Sequence, residues 1–315
     1  MKLEIGSVIY QGFIEARVRS SMDTLFDEFE FVSTNIWGAD IPFALADDCR
    51  ILTPDDEQLL DGYINGLTIP IGGDIAISGH DKTFDLISST IAGTGEYKNL
   101  TVKEIIEKIC DPFGITVSGT ADSSLAIFRY GLNDKAVDVI LDLVGRYGML
   151  ANSDGDGNIE LTEITTSNRA TLKLVEGYNI INGSLTIAEN RPSSVTAIGK
   201  TRTASISSTS SGSSDRYRPN TIINGGNFSA GQALTSSEWI ANLGSPESYS
   251  VTVSGLYNER PNTLIDIVAG TWGLNGSLLI KSVLWGMTRD GGHFTTFDLV
   301  NPSIFGGDDV SSGWI

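Results

Sequence analysis

The segment Asp61–Ile91 has the residue pattern of two β-strands joined by a Gly72-Gly73 turn. Apolar side chains recur at every second position, which is the period of a strand with one buried face. The alternating apolar positions are Tyr63, Leu67, Ile69, Ile75 and Ile77. A charged corner, Ser78–Thr83, then turns the chain into an apolar stretch that begins at Phe84. Because a hairpin buries only one face, such a chain must build a larger sheet, and a mainly β fold is predicted.

Residues 1–92 are predicted to form a first, all-β unit. A chain of 315 residues can hold two or three compact domains, and this unit is expected to be the first. A short helix is predicted only at Met22–Phe26. The other strand candidates are Leu3–Val8, Phe13–Val18, Phe29–Val32 and Arg50–Leu52.

The pattern changes after residue 92, where a helix is predicted. Thr101 and Glu104 form a capping box, in which each side chain satisfies a free amide of the first helical turn. Asp111-Pro112 ends this helix. Its buried face is predicted to be Val102, Ile105, Ile106 and Ile109.

A second helix is expected to begin at an Asn133 or Asp134 cap and to end at Gly148. Its apolar stripe is Val137, Ile140, Leu141, Val144 and Tyr147. Strands Met149–Ala151 and Ile159–Ile164 follow on either side of a polar turn. Residues 93–175 are therefore predicted to be a small α+β insert domain.

Residues 176–315 return to a β pattern and are predicted to be a second β unit. The run 203–214 is almost entirely Ser, Thr and Gly, and we expect a mobile loop there. A second capping box at Thr235–Glu238 predicts a short helix over 236–244. The strand candidates are Ile180–Ile187, Ser194–Ile198, Tyr249–Ser254, Leu264–Val268, Leu278–Leu284 and Thr295–Leu299. The pattern Ile75–Gly79 recurs at Val251–Gly255, as two related β units would require.

The charge balance excludes a nucleic-acid-clamping surface as the main function. Lys and Arg total 21 against 39 Asp and Glu, a net charge of -18, whereas phosphate binding requires clustered positive charge. No apolar run is long enough to span a bilayer, so no stable membrane insertion is expected. Cys49 and Cys110 form no metal or disulfide pattern, which favours folding in a reducing cytoplasm.

A metal site is weakly suggested by Asp154, Asp156 and Asn158, whose oxygens alternate as in a calcium loop. The run departs from that motif at Ile159 and Thr165, where a glycine and a glutamate are required. A plain Asp-Gly hairpin turn is therefore preferred, and no metal or cofactor is predicted.

Catalytic residues are not predicted either. His80 and His293 belong to no motif, and Ile198–Thr201 lacks the earlier glycine of a phosphate-binding loop. The paired carboxylates Asp47/Asp48 and Asp55/Asp56 fit solvated loops, although a glycosidase-like pair is not ruled out by sequence. The tryptophans lack the spacing of a sugar-binding array and are expected to be core or interface anchors; they are Trp37, Trp239, Trp272, Trp285 and Trp314.

The segment Gly62-Tyr-Ile64, continued by Ile75–Leu86, resembles the Mu-type baseplate hub proteins of contractile-tailed bacteriophages, which are related to the late-control tail family. His80-Asp81 stands where that family usually has Arg-Ser. The resemblance extends over nearly the whole chain, through Val18–Leu25, Gly148–Ile159, Glu176–Ile180, Val251–Leu256 and Asp298–Pro302.

The resemblance implies a homotrimer in which each subunit supplies two similar β-barrel tube domains. Three subunits would form a pseudo-sixfold ring between a sixfold tail tube and a threefold central spike, with DNA passing through the lumen. It further implies contacts with the tail tube protein, the spike protein and other baseplate subunits. The location implied is the virion tail baseplate, assembled in the host bacterial cytoplasm. The alternatives are a tail-associated cell-wall hydrolase and a receptor- or glycan-binding β protein.

Overall fold

The computed structural model describes residues 1–35, 40–91, 93, 95–131, 133–165, 167–187, 193–200, 205–211, 216–227 and 247–302. Strands dominate these residues, as the alternating apolar pattern predicts. Within this part of the chain, no helix combines the length and the apolar character needed to cross a membrane.

Seven strands of the first β unit lie within its described residues, 1–35 and 40–91. Burial alternates along them because successive side chains point to opposite faces of a strand. The predicted strand Leu3–Val8 is wrong in extent, since Gly6 adopts φ 59° and divides it into two strands of a hairpin. The strands are β1 Lys2–Ile5, β2 Val8–Tyr10, β3 Glu15–Ser21, β4 Glu28–Ser33, β5 Asp48–Leu52, β6 Gln58–Thr68 and β7 Ile75–Asp81.

The insert that follows is an α+β unit with its own apolar core. Two residues of the first β unit, Leu25 and Leu86, also pack into that core. Its elements are α1 Asp85–Ser88, β8 Glu96–Thr101, α2 Val102–Cys110, β9 Val117–Gly119, β10 Ser124–Arg129, α3 Ala136–Gly145, β11 Leu150–Ser153 and β12 Ile159–Thr162.

The second β unit contains the remaining strands. They are β13 Arg169–Val175, β14 Ile180–Ile187, β15 Ser194–Lys200, β16 Ser205–Ser211, β17 Pro219–Asn227, β18 Glu247–Ser254, β19 Leu264–Ala269, β20 Leu274–Thr288 and β21 Gly292–Val300. β13, the last segment of the predicted insert (93–175), pairs in parallel with β19, almost 100 residues downstream. This segment therefore contributes a strand to the large sheet, and the boundary at 175 stays a prediction.

Strands of both β units form one large sheet. Its order is β14-β18-β21-β20-β3-β4-β7-β6-β5-β1-β2, and β19 with β13 branches from β20. Strands β15, β16 and β17 form a separate three-stranded sheet in the order β16-β15-β17. The units meet where β20 pairs antiparallel with β3. One apolar core runs beneath both units and contains Phe31 from the first and Trp285 and Phe297 from the second. The described strands form open sheets, and the closure of each unit into a barrel stays a prediction.

The repeated pattern occupies equivalent places in this sheet. Ile75–Gly79 lies in β7, which is the second strand outward from the β3–β20 pair. Val251–Ser254 lies in β18, the second strand outward on the other side. The two segments are thus placed symmetrically about the shared strand pair, in strands that run in opposite directions.

The capping box that starts α2 is present as predicted. The Thr101 hydroxyl accepts a hydrogen bond from the Glu104 amide at 3.2 Å, and the Glu104 carboxylate accepts one from the Thr101 amide at 2.7 Å. The four predicted apolar residues of α2 are buried. The local sequence is therefore sufficient to define this helix.

The start of α3 and one residue of its buried face differ from the prediction. The N-cap is Lys135, which makes no side-chain cap. The Asp134 carboxylate instead accepts a hydrogen bond from the Gly131 amide at 2.6 Å and closes the preceding turn. Leu141 is 39% exposed. The helix begins later than expected because the Asp134 carboxylate is already used.

Three further segments differ from expectation. Met22–Phe26 forms turns rather than a helix. Part of the expected mobile loop, Ser205–Ser211, is strand β16 and pairs antiparallel with Ser194–Lys200. A ladder is held by backbone groups, so a Ser-rich strand can pair without apolar residues. The predicted helix over 236–244 lies outside the described residues.

The charged corner of the opening segment begins later than predicted. Ser78 to Asp81 continue β7, and the chain turns only in the 3-10 helix Lys82–Phe84. The reason is cross-strand pairing: His80 lies opposite Glu28 of β4 and Tyr63 of β6. Pairing on both sides extends the strand through residues that would form a turn in isolation.

Candidate functional site

The end of β7 lies where the two β units and the insert meet. The Asp81 carboxylate accepts hydrogen bonds from the Asp27 amide at 3.0 Å and the Thr83 amide at 3.1 Å. The Thr83 hydroxyl lies 2.5 Å from the Asp81 carboxylate and 2.7 Å from the Leu25 carbonyl oxygen. Asp81 and Thr83 are completely buried, and Asp27 is 1% exposed. These bonds fix the turn that leads from the first β unit into the insert.

The second β unit contributes Arg260 to the same place. Its guanidinium lies 3.1 Å from the Asp27 carboxylate and donates to the Leu59 carbonyl oxygen at 2.6 Å. It also lies 5.1 Å from the centre of the Trp285 ring, in cation–π geometry. Arg260 thus joins a strand of the first unit to the core of the second.

The insert reaches this place through its β11–β12 hairpin. A Cβ atom at Gly155 would lie 2.2 Å from an Arg260 guanidinium nitrogen, and Gly155 has φ +83°. Only glycine combines that conformation with so close an approach. The Gly155 carbonyl oxygen accepts from the Asp61 amide at 2.7 Å. We call Asp27, Asp81, Thr83, Gly155 and Arg260 the junction, because they connect all three units.

Burial dominates the electrostatics of the junction. It raises the pKa of Asp27 to about 7, although the Arg260 charge opposes that shift and the Asp81 charge adds to it. Burial also raises the pKa of Asp81, against the hydrogen bonds from Ser153 and Thr83, which lower it.

A small apolar cluster also contains residues from all three units. Its members are Met22, Leu150, Leu264, Leu279 and Val300.

The residues of the suggested calcium loop form a self-contained turn between β11 and β12. The Asp154 carboxylate accepts from the Asp156 amide at 2.8 Å and the Asn158 amide at 3.0 Å. The Asp156 carboxylate accepts from the Gln58 side chain at 2.5 Å, and the Asn158 side-chain oxygen accepts from the Thr116 amide at 3.1 Å. The three side chains therefore bind protein groups and attach the hairpin to β6 and to the insert.

The other residues considered for chemistry lie apart from one another. The ring of His80 stacks on Phe84 at 4.0 Å, and burial lowers the pKa of His80. His293 contacts the N-terminal amino group at 3.1 Å. Asp47 accepts from the Ala44 amide at 2.8 Å, and Asp56 pairs with a lysine. Within the described residues, each of these four side chains thus contacts a different group, and no hydrogen bond or ion pair joins any two of them.

Two of the five tryptophans, Trp272 and Trp285, lie within the described residues. Trp285 is fully buried, and its indole donates to the Tyr257 carbonyl oxygen at 2.7 Å. Trp272 is partly buried and packs against the core, with its ring centre 5.5 Å from that of Tyr249. The other three, Trp37, Trp239 and Trp314, lie outside the described residues.

A second candidate surface is the polar face of the large sheet, opposite the shared core. It contains a groove of about 600 Å³ that crosses from the first β unit into the second. Arg17 lies opposite Glu30 and Arg19 opposite Glu28, so unlike charges face each other across β3 and β4. We call this surface the shared polar face; its groove residues are Arg17, Arg19, Glu28, Phe29, Glu30, Ser78, His80, Ser250, Leu284, Thr296 and Asp298.

Sequence comparison agrees with this architecture. Residues 83–163, most of the insert, match the family model described as baseplate hub protein gp44-like, second domain. A segment of 182 residues is 25% identical to the baseplate hub protein gp44 of Escherichia phage Mu. Over these segments the chain is similar to the Mu-type baseplate hub proteins. The aligned segment covers 55% of this chain and 48% of the Mu protein, so the match extends over about half of that relative.

Solved structures share the fold over nearly the whole chain. The 43 kDa tail protein of prophage MuSo2 from Shewanella oneidensis superposes with a TM-score of 0.84 at 24% identity, covering 96% of this chain and 99% of that one. The tail protein from Neisseria meningitidis MC58 gives 0.84 at 15% identity over 98% of both chains. A component of the E. coli type VI secretion system gives 0.63 at 15% identity, covering 95% and 76%.

The β11–β12 hairpin lies where the sequence predicts it, whereas the junction was not predicted. Arg260 and Asp27 are separated by 233 residues, and neither lies in a motif. The one usable signal was the unusual density of polar residues at the end of β7, which the sequence analysis assigned to a turn. Part of the shared polar face is predictable from the sequence, because Arg17 and Arg19, like Glu28 and Glu30, alternate with apolar residues.

Proposed function

We propose that this chain is a structural hub of a phage tail baseplate, or of a related contractile injection particle, and acts as a homotrimer. The observation that carries the proposal is the eight-strand antiparallel run β14-β18-β21-β20-β3-β4-β7-β6. Each β unit contributes four of these strands, so one chain contains two equivalent wall segments.

Three such chains supply six four-stranded segments while retaining threefold symmetry. This arrangement matches a sixfold tail tube on one side and a threefold central spike on the other. The function is mechanical: the ring transfers symmetry and load between the tube, the spike and other baseplate subunits.

The shared polar face is proposed to line the channel of the ring. Its groove contains three carboxylates, Glu28, Glu30 and Asp298, against two arginines. The carboxylates oppose binding of DNA phosphates, and unlike charges that face each other in the β3–β4 register reduce the positive potential of the two arginines. DNA would therefore pass without a specific binding site.

The insert is proposed to brace the ring from outside. The junction supports this role, since the Asp27–Arg260 ion pair and the Gly155 contact hold the insert hairpin against both β units. A change of angle between the units would break buried hydrogen bonds, so the junction favours one rigid geometry.

The protein is proposed to be non-enzymatic and to reside in the virion tail after assembly in the host cytoplasm. No observation favours the cell-wall hydrolase alternative, because the candidate carboxylates lie in separate turns. A zymogram on peptidoglycan checks this directly, and lysis by the purified protein would refute the structural role.

The experiment that tests the hub is electron microscopy of the purified protein, with solution mass measured on the same sample. Three copies around an open channel are expected. A globular monomer at high concentration would contradict the proposal.

A further inference from the structure

Two strand edges at opposite ends of the eight-strand run have no ladder partner among the described residues. β14 pairs with β18 on one side only. β5 pairs with Gln58–Tyr63 of β6 and leaves the second half, Asn65–Thr68, bonded only to β7. Both edges therefore present free backbone donors and acceptors, which can pair with another strand.

The directions of these edges are complementary. Every neighbouring pair from β14 to β6 is antiparallel. A run of eight alternating strands ends in strands of opposite direction, so β14 of a second copy would lie antiparallel to β6 of the first. The antiparallel alternation of the wall then continues across the subunit boundary without interruption.

Exposed apolar side chains lie at the same end of both edges. Ile71, at the tip between β6 and β7, is fully exposed, and Ile69 is 52% exposed. Tyr178 and Ile181, at the start of β14, are 85% and 64% exposed. Because β6 ends at the level where β14 begins, antiparallel pairing brings these two apolar groups together. Such a contact would bury surface that is costly to leave in water.

The composition of the edges also favours a protein partner. Neither Ile180–Ile187 nor Asn65–Thr68 contains a charged residue or proline, the usual devices that protect an edge strand. The last strand at the other end of the full sheet, β2, is only three residues long, and shortness is itself such a protection. The unprotected edges are those that bound the eight-strand wall.

We propose that β14 of one copy pairs antiparallel with Asn65–Thr68 of a second copy, with Ile71 packed against Tyr178 and Ile181. The contact is heterologous, joining two different surfaces, and so propagates around a ring until it closes. This inference rests on the proposed homotrimer and assigns the surfaces that form it.

Cross-linking tests the contact. A chain carrying Ile71→Cys and Ile181→Cys is treated with a short bis-maleimide and analysed by mass under denaturing conditions. Covalent dimers and trimers are expected. The native cysteines, Cys49 and Cys110, are buried and give little background. The matched control carries Val8→Cys with Ile181→Cys, because Val8 is 50% exposed on β2 and should not face the partner.

Charge substitution gives an independent measurement. Ile71→Asp and Ile181→Asp should each raise the concentration at half-assembly by about tenfold or more, a cost of about 1.4 kcal/mol. Val8→Asp should leave it unchanged, and circular dichroism verifies that all three variants fold.

The outcomes separate this inference from the proposed function. If the wild type forms a trimer that all the variants preserve, or if both cysteine pairs cross-link equally, the assigned edges are wrong while the hub proposal stands. If the wild type stays monomeric at high concentration, the homotrimer fails and this interface fails with it.

Discussion

The guanidinium of Arg260 lies 3.1 Å from the carboxylate of Asp27, although 233 residues separate the two in sequence. Asp27 is almost wholly buried and belongs to the first β unit, just before β4, whereas Arg260 belongs to the second unit. A buried ion pair is weak evidence for net stabilisation, but breaking it leaves an uncompensated buried charge. The pair therefore makes the relative placement of the units a condition of folding.

Replacing Arg260 by Met should be strongly destabilising. The substitution removes the partner of the Asp27 carboxylate and the donor to the Leu59 carbonyl oxygen, and a loss of about 3 kcal/mol in the free energy of unfolding is expected. Urea titration followed by circular dichroism measures it. The control is Arg169→Met, whose ion pair with Asp266 is half exposed and should contribute at most about 1 kcal/mol. Equal losses of unfolding free energy in the two variants would refute the claim that the junction contributes more to stability than an exposed ion pair does.

The junction should give the stability a pH dependence. The pKa of Asp27 rises from 3.8 to about 7, so the folded state retains a proton that the unfolded state releases. The contribution of Asp27 to the free energy of unfolding should therefore fall as pH rises from about 4 to about 7. Asp81, whose pKa burial also raises, acts in the same direction. The Arg260 charge opposes the rise in the pKa of Asp27.

Asp27→Asn isolates this contribution, since the amide does not titrate. The difference in unfolding free energy between wild type and variant should change across the window between about pH 4 and 7 and should be constant above it. Asp55→Asn, a change at an exposed turn, is the control and should preserve the wild-type profile. A difference that stays constant over the whole range would show that Asp27 titrates alike in both states.

The close approach between β6 and β7 predicts a second position at which a substitution should lower the stability of the fold. A Cβ atom at Gly62 would lie 2.0 Å from the His80 carbonyl oxygen. Gly62→Ala should therefore reduce the thermal midpoint and cost about 1–3 kcal/mol through overpacking. Gly145 in α3 has no atom within 4 Å of its added Cβ, so Gly145→Ala should be neutral or stabilising by up to about 1 kcal/mol. Calorimetry on the two variants distinguishes the effects.

The capping box of α2 should contribute about 1 kcal/mol. Thr101→Ala removes the acceptor for the Glu104 amide and should lower the free energy of unfolding by that amount. Thr101→Ser retains the hydroxyl and should recover most of the loss. If Ser and Ala are equally destabilising, the methyl group rather than the cap is responsible.

How far the sequence predicts the fold depends on the range of the interactions involved. Ile180–Ile187 is a strand with the predicted bounds, and α2 follows from its cap and apolar spacing. Both signals lie within ten residues. Ser78–Asp81 was assigned to a turn because its composition favours one, but pairing with β4 and β6 on its two sides makes it a strand. Local propensity cannot anticipate partners that are distant in sequence.

The candidate site was less predictable for the same reason. The turn residues Asp154 and Asn158 were found because ligand-like spacing is local, and their hydrogen bonds to the hairpin and to Thr116 are what the plain-turn interpretation implies. The partnership of Asp27 with Arg260 requires knowledge of which strands are neighbours. A single sequence contains no such information at a separation of 233 residues.

The shared polar face predicts how charge controls DNA passage. Neutralising its acidic residues with Glu28→Gln, Glu30→Gln and Asp298→Asn leaves the groove with two arginines and no carboxylate of its own, although Arg17 keeps its ion pair with Glu15. The assembled variant should retain duplex DNA at low salt and release it as salt rises, whereas the wild type should not retain it.

The matched control neutralises three exposed carboxylates elsewhere, with Asp55→Asn, Asp122→Asn and Asp290→Asn. Its net charge changes equally, so it should not retain DNA if position matters. Retention by both variants would assign the effect to total charge and remove the argument that this face lines the channel.

The most direct test of the central claim is the mass and shape of the wild-type protein in solution. Native mass spectrometry and electron microscopy of one preparation should give three chains around an open channel whose wall contains the eight-strand run of each chain. A protein that remains a compact monomer across the accessible concentration range, with no ring in any image, would contradict the account.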